Sequence, residues 1–282
     1  MTRTALHSLR FSGFRRFAQL TLVFVATALV VGCSAVKGSY DPTAGWSAQR
    51  LYKDARDEMS NSNWKDARAR LEAIESRYPL GIYAQQALMD LAYVDWKDEE
   101  QDQALATIER FEQQYPNHPG TDYMLYLKGL VTFTPPSAAF SDITHQDPSE
   151  RDPKGLRASY AAFETLVKRY PDSPYTKDAK LRLAWLVSTL AKHDVDVAQY
   201  YYTRGAYVAA ANRAQKVITD YQGVPVAEKA LYIMYLSYGK LGLTKLRDDA
   251  KRVLDKNFPH SKYYTQGLNP PVNYWNPINW FF

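Results

Sequence analysis

Cys33 is the one thiol among 282 residues, and it closes the apolar run Leu29-Val30-Val31-Gly32. Three chemistries can use a lone cysteine. A disulfide needs a second thiol, which here only another chain could supply. A thiolate nucleophile needs a base or a cation beside it, and the flanking residues are Leu, Val, Gly, Ser and Ala. The third is covalent modification of the sulfur. Elsewhere the reactive inventory is thin. His7, His118, His145, His193 and His260 are scattered, with no His-x-x-x-His pair to hold a metal. There is no Gly-x-Ser-x-Gly elbow and no glycine loop that would cradle a phosphate. Asp98-Glu99-Glu100 reads as a solvated turn, and His118, between Asn117 and Pro119, as a loop residue. The expectation is a chain that is not an enzyme, with no metal and no dissociable cofactor.

The residues before Cys33 select the third chemistry. Arg3, Arg10, Arg15 and Arg16 stand in the first 32 residues without a single acid, and 17–31 is almost wholly apolar. A basic segment, a short apolar segment and small residues at a boundary make a secretory signal peptide. The apolar stretch falls short of the roughly 20 residues that a membrane-spanning helix needs. Val30-Val31-Gly32-Cys33 resembles the bacterial lipobox, whose cysteine takes a diacylglycerol and becomes the acylated N-terminus. Ser34 follows where an aspartate would favour retention at the inner membrane, so the expected location is the outer membrane, on its periplasmic face. Four of the 35 cations leave with the signal, so the mature chain has 31 against 30 acids, a net charge of about +1. That near-balance gives no electrostatic footprint for nucleic acid.

What remains is repetitive. Ser76-Arg77-Tyr78-Pro79, Gln113-Gln114-Tyr115-Pro116, Lys168-Arg169-Tyr170-Pro171 and Lys256-Asn257-Phe258-Pro259 share one pattern, and Thr219-Asp220-Tyr221-Gln222 is a degenerate copy. The aromatic residues are separated by 37, 55, 51 and 37 positions. Four before them stand Ile74, Phe111, Leu166, Val217 and Leu254; seven before, Leu71, Ile108, Phe163, Ala214 and Lys251; eleven before, Ala67, Ala104, Ser159, Ala210 and Arg247. Offsets of 4, 7 and 11 fall on one face of a helix, and the proline that follows stops it. A second helix follows each stop, as in Ala84-Ala87-Leu88-Leu91. Such pairs bury their apolar faces only by stacking. The repeat-position aromatics, Tyr78 and Tyr170 among them, are expected in the core.

Two spacings are long. The first excess contains Pro135-Pro136, Asp147-Pro148 and Arg151-Asp152-Pro153 and predicts a projecting loop at about 134–155. The second lies between Trp185 and Tyr207, has no proline, and predicts that both helices of the fourth pair are lengthened.

Units near 34 residues with this small-and-aromatic pattern resemble tetratricopeptide (TPR) repeats. The expected fold is all-α, a right-handed TPR solenoid of about five repeats over 46–259, after the signal at 1–32 and an acylated tether at 33–45. A closer resemblance follows from longer runs: Arg77-Tyr78-Pro79, Gly81, Tyr83 and Gln85-Gln86; Pro116, His118-Pro119, Asp122-Tyr123, Tyr126 and Gly129-Leu130; Arg151-Asp152-Pro153; Ala198-Gln199-Tyr200-Tyr201, Arg204-Gly205-Ala206-Tyr207-Val208-Ala209 and Asn212-Arg213. Over about 46–258 the chain resembles the BamD family, lipoproteins of the outer-membrane β-barrel assembly (BAM) machinery.

The resemblance implies partners and sites. The partners would be the periplasmic domain of BamA, BamC and other BAM lipoproteins, and unfolded outer-membrane protein precursors. Arg213, with Arg204 and Asn212, matches the positions that face BamA, and Arg213 is read as a surface cation whose reversal leaves the fold unchanged. Tyr83, Tyr123 and Tyr126 lie on or near first helices, which line the concave face of TPR arrays, so groove and core remain equally open for them. Gln86, in the matched first run, joins them as a groove candidate. The alternative function is a TPR lipoprotein of cell-wall or peptidoglycan processes. An enzyme on a helical scaffold would need a separate catalytic domain, for which the repeats leave no room.

The C-terminal tail, 260–282, has no counterpart in the resemblance. Tyr274, Trp275, Trp280, Phe281 and Phe282 crowd a segment broken by Pro270-Pro271 and Pro277. It either caps the last repeat or mimics the aromatic end of a barrel strand. The anchor is tested first: Cys33→Ala is expected to leave an unacylated, unprocessed precursor. Buried methylenes contribute about 0.8 kcal/mol each, so several acyl chains are what hold the mature form firmly. A variant still processed and membrane-bound after a carbonate wash would overturn the assignment.

Overall fold

A computed structural model of the chain describes residues 41–133 and 153–268. The signal, Cys33, most of the expected loop and the aromatic tail beyond Leu268 lie outside the described residues. Among those described there are eleven helices and no strand. In order they are α1 (Ala48–Ser60), α2 (Trp64–Arg77), α3 (Ile82–Lys97), α4 (Gln101–Gln114), α5 (Thr121–Thr132), α6 (Lys154–Arg169), α7 (Thr176–Thr203), α8 (Tyr207–Asp220), α9 (Ala227–Lys240), α10 (Thr244–Asn257) and the single turn α11 (Tyr263–Gln266). All belong to one compact unit that begins at Ala48. The expected loop ends slightly early, since Lys154 already opens α6.

The even helices end alike. Tyr78, Tyr115, Tyr170, Tyr221 and Phe258 each leave helical geometry, with φ between −124° and −133° and ψ between 58° and 85°. Each backbone N–H still donates to the carbonyl four residues back, at 2.7–3.1 Å. Proline after the aromatic imposes that conformation in four cases. After Tyr221 the chain has Gln222 instead, and Gly223 at φ 73° makes the turn.

Counting back from these stops recovers the core. Ala67, Leu71, Ile74, Ala104, Ile108, Phe111, Ser159, Phe163, Leu166, Ala210, Ala214 and Val217 are all fully buried. Ser159 is the one hydroxyl at a small position, and it donates to the Gly129 carbonyl at 2.9 Å. Gly129 lets α5 press onto α6, for a Cβ there would lie 2.4 Å from the Phe163 ring. On α10 the pattern lapses: Lys251 is exposed and Arg247 partly so, while Leu254 is fully buried. Among the described residues no further helix pair follows α10, and polar residues stand there where the other repeats bury apolar ones.

Two expectations need correcting. The stop aromatics sit at the core's edge more than inside it: Tyr78 is 37% exposed, Tyr115, Tyr170 and Phe258 are half-buried against core clusters, and only Tyr221 is buried. They stand one residue past the helix, and Tyr115, Tyr170 and Phe258 pack from there against the edge of the core. The extra length of the fourth pair also goes to one helix alone. α7 has 28 residues and is about 42 Å long, whereas α8 has the same 14 residues as α2. The Tyr221 stop and the fully buried Ala210, Ala214 and Val217 hold α8 to the standard length, while nothing breaks α7 before Gly205, at φ 78°.

From α1 to α10 consecutive helices pack, and odd helices also meet one another: α1 with α3, α3 with α5, α7 with α9. The odd helices are thus the inner row. Buried carboxylates lock neighbouring helices. Asp95 on α3 accepts from Arg68 of α2 at 2.9 Å and from Thr107 of α4 at 3.1 Å. Asp194 on α7, fully buried, accepts from Arg213 of α8 at 2.9 Å and from the Tyr221 hydroxyl at 3.2 Å, with Arg157 of α6 at 3.5 Å. Burial and the adjacent Asp194 charge push the Tyr221 phenol up to about 12, so it stays a neutral donor.

Arg213 is therefore half of a buried ion pair, and its reversal is expected to reach the fold. Removing one partner of such a pair costs about 3 kcal/mol or more. For a chain of this size that lowers the melting temperature by roughly 6–12 °C. Arg213→Glu should do so in a thermal scan, Arg213→Lys much less, and Arg213→Glu should cost little more in an Asp194→Ala background. An unchanged midpoint for Arg213→Glu would contradict the pairing.

Candidate functional site

The inner row presents side chains from three helices, and one from the residue that opens a fourth, to one surface. Tyr52 and Arg56 come from α1, Tyr83, Gln86 and Asp90 from α3, Tyr123 from α5, and Tyr175 from the residue that precedes α7. Three adjoining recesses of about 260, 420 and 450 Å³ run along it, and Arg56 lines all three. Tyr83 and Tyr52 wall the one nearest the chain start. Gln86, Met89, Asp122, Tyr123 and Tyr175 line the one towards α7.

Asp90 is the centre of this surface. It is only 5% exposed, and it accepts from the Tyr52 hydroxyl at 2.8 Å and from the Gln86 amide at 3.3 Å. Arg56 stands 3.6 Å away with its side chain 54% exposed. Burial raises the Asp90 carboxyl above the ordinary aspartate range, while the Tyr52 hydrogen bond and the Arg56 charge pull it back. Tyr123 is raised above the usual phenol range, first by burial and then by the Asp90 charge. Burial likewise raises Tyr52, so Tyr52 and Tyr123 are neutral at physiological pH, and Arg56 is the half-exposed charge beside them. Rings meet along the wall: Tyr52 and Tyr83 lie 5.7 Å apart, Tyr123 and Tyr175 5.6 Å. Such a surface offers apolar faces with phenolic and amide hydrogen-bonding groups between them. It holds no nucleophile–base pair, and among the described residues no group of His, Cys, Asp and Glu is placed to hold a metal ion.

Three of the four groove candidates, Tyr83, Gln86 and Tyr123, line these recesses. Tyr126 does not line them: it stacks on Tyr175 at 4.8 Å, and its hydroxyl donates to Asp178 at 2.7 Å, closing the seam between α5 and α7. Tyr52, Arg56, Asp90 and Tyr175 were missed. The counted offsets reach back only 11 residues from each stop, so on α1 they marked no position. Asp90 left one sign, a carboxylate inside Ala87-Leu88-Met89-Asp90-Leu91-Ala92. His118 is a turn residue, its Nδ1 accepting from the Gly120 N–H at 3.0 Å.

The other named residues sit on the α7–α8 hairpin. Arg204 caps α7 and lies exposed over the Tyr200 ring at 5.3 Å. Asn212 is exposed on α8, and beside it Arg213 is held by Asp194. Arg213 is thus not the unencumbered surface cation expected. Cys33 lies outside the described residues. No described helix is long and apolar enough to cross a membrane.

Comparison with known proteins bears on both surfaces. A family model described as outer membrane lipoprotein (YfiO) matches residues 45–254, which takes in the groove and the hairpin together. The outer membrane protein assembly factor BamD of Neisseria meningitidis serogroup A is 43% identical over 258 residues, covering 90% of this chain and 97% of the relative. The factors of the same name from Vibrio cholerae and Haemophilus influenzae are 36% and 32% identical, covering 83% and 86% of this chain and 95% and 91% of the relatives. Matched through every repeat and with relatives aligned over nearly their whole length, the chain belongs to the YfiO family of outer membrane lipoproteins, the BamD family that its motifs resemble.

Proposed function

We propose that this chain is a non-catalytic receptor and scaffold for the assembly of outer-membrane β-barrel proteins, held at the periplasmic face of the outer membrane by lipid on Cys33. One observation carries the reading: the Arg56–Asp90–Tyr52 cluster where three recesses meet, walled by Tyr83, Tyr123 and Tyr175. The names of the relatives, outer membrane protein assembly factors, supply the process. An unfolded barrel precursor offers aromatic and aliphatic side chains in alternation, with unpaired backbone donors and acceptors between them. Tyrosine faces take the first, and the phenols, Gln86 and Arg56 take the second, at little cost in side-chain entropy. Arg56 is half exposed, so it can reach a segment's terminal carboxylate without abandoning Asp90.

The α7–α8 hairpin is the second contact surface in this reading, facing the periplasmic domain of BamA, with BamC and other BAM lipoproteins in the same assembly. Arg204 and Asn212 are its exposed polar groups. Arg213 contributes from a guanidinium already positioned by Asp194. A fork held in place loses less entropy when it meets a carboxylate.

The groove is tested by the affinity of a labelled peptide carrying the aromatic-ended last strand of a barrel protein. Tyr123→Ala is expected to cost about 2 kcal/mol, the size of an interface anchor, or about 30-fold in Kd. Arg56→Ala should weaken binding in the same assay, and Asn212→Ala should leave it unchanged. Parent affinity in both groove variants would overturn the assignment.

A further inference from the structure

Counted from each stop aromatic, the second residue is Leu80, Asn117, Asp172, Gly223 and His260, and the fourth is Ile82, Pro119, Pro174, Pro225 and Lys262. Four of the five turns are built from polar residues, glycine and proline, as water-facing turns are. The first places two large aliphatics at those positions instead. Both are bare: Leu80 is 89% exposed and Ile82 is 72% exposed. Tyr78, at the same turn, is the one stop aromatic that is exposed rather than half-buried or buried. Gly81, at φ 102°, holds the chain in a bend that a side chain would strain. Single exposed apolar residues are ordinary on a protein surface, but three within five positions at the tip of one turn form a patch with a direction.

The place of the turn indicates what covers it. α1 and α2 are joined by three residues and held side by side by Arg70 and Asp54 at 2.8 Å. They run antiparallel, so the end of α2 lies beside the start of α1. Ala48, where the chain enters the helical unit, therefore shares an edge with the 78–82 turn. Fourteen residues separate Ala48 from Cys33, a reach of at most about 50 Å. Of the five turns, the apolar one belongs to the repeat that is leashed to the anchor.

We propose that turn 78–82 is a membrane-contact site: Leu80 and Ile82 enter the lipid leaflet that holds the acyl chains on Cys33, with Tyr78 at headgroup level. This rests on the lipid-anchored reading above. Two aliphatic side chains are too few to hold a membrane unaided. Tethering makes their contact intramolecular, so the anchor supplies the local concentration that the turn lacks. The residue types suit the two depths, aliphatic for the acyl boundary and an amphipathic phenol for the interface. The contact gives the first repeat a fixed orientation at the membrane, which a lipid on a 14-residue leash cannot do alone.

Cys33 is the only cysteine and its sulfur is taken by lipid, so Leu80→Cys provides one free thiol. The full lipidated chain carrying an environment-sensitive dye there is reconstituted into vesicles of phosphatidylethanolamine and phosphatidylglycerol that contain a doxyl-lipid quencher. Asn117→Cys and Asp172→Cys, at the equivalent place in later turns, are the controls. The expected result is several-fold stronger quenching at position 80 than at either control, reduced when Ile82→Asp is added. Equal quenching in protein that floats with the vesicles overturns the proposal and leaves the anchor intact. A dye blue-shifted at position 80 without lipid quenching also overturns it, pointing to a protein partner or a second copy. Parent protein that fails to float removes the anchor, and the proposal with it.

Discussion

The fold depends on where each even helix stops. One hydrogen bond, from the aromatic N–H to the carbonyl four residues back, closes the last turn as the next residue forces the chain out of helical geometry. In the first four repeats the residues 4, 7 and 11 before that point are all fully buried, so the stop sets register as well as length. Register then decides which residues meet. With Ala67, Ala104, Ser159 and Ala210 fully buried, the paired helices approach closely, and the odd helices gather into an inner row. The groove is a consequence of that row, because its walls come from three helices and the turn before α7, which meet only when the stack is in register.

Within the row, polar groups divide into those that lock helices and those that face outward. Asp95 and Asp194 are spent on neighbouring helices, and the charges that meet them are structural. Asp90 differs. It is buried as deeply as a structural carboxylate, yet its cation, Arg56, remains half in water and touches all three recesses. The exposed half of the guanidinium is open to a second carboxylate, so the arginine can meet an arriving polar segment while it stays beside Asp90. Tyr52 and Tyr123, raised by burial, stay uncharged and pair with such a segment without a like-charge penalty.

Much of this was legible from the residues because repetition turns a weak local signal into a strong one. The four aromatic–proline pairs marked the stops, and the small and apolar positions behind them marked the core. Legibility failed where contacts are long in sequence or where the array ends. Tyr52 meets Asp90 across 38 positions, which no periodic count discloses. Arg213 reads as a surface cation until the rise of α7 brings Asp194 to it. Lys251 looks like a defect in the fifth repeat, and is an exposed residue that pairs with Asp255 and lies over the Tyr264 ring. Family membership shows the process more plainly than the geometry does, while the geometry separates Tyr123 from Tyr126, which the spacing could not.

The central claim is that unfolded barrel segments travel through the inner row and not over the outer one. Site-specific photo-crosslinking in living cells reads this directly, with the reactive group placed in turn at Tyr83, Gln86 and Arg56 on the inner row and at Glu109 and Lys168, which are exposed on even helices. The account predicts adducts with newly exported outer-membrane precursors from the three inner positions and background levels from the two outer ones. Adducts of equal yield from both rows, or from the outer row alone, would contradict it.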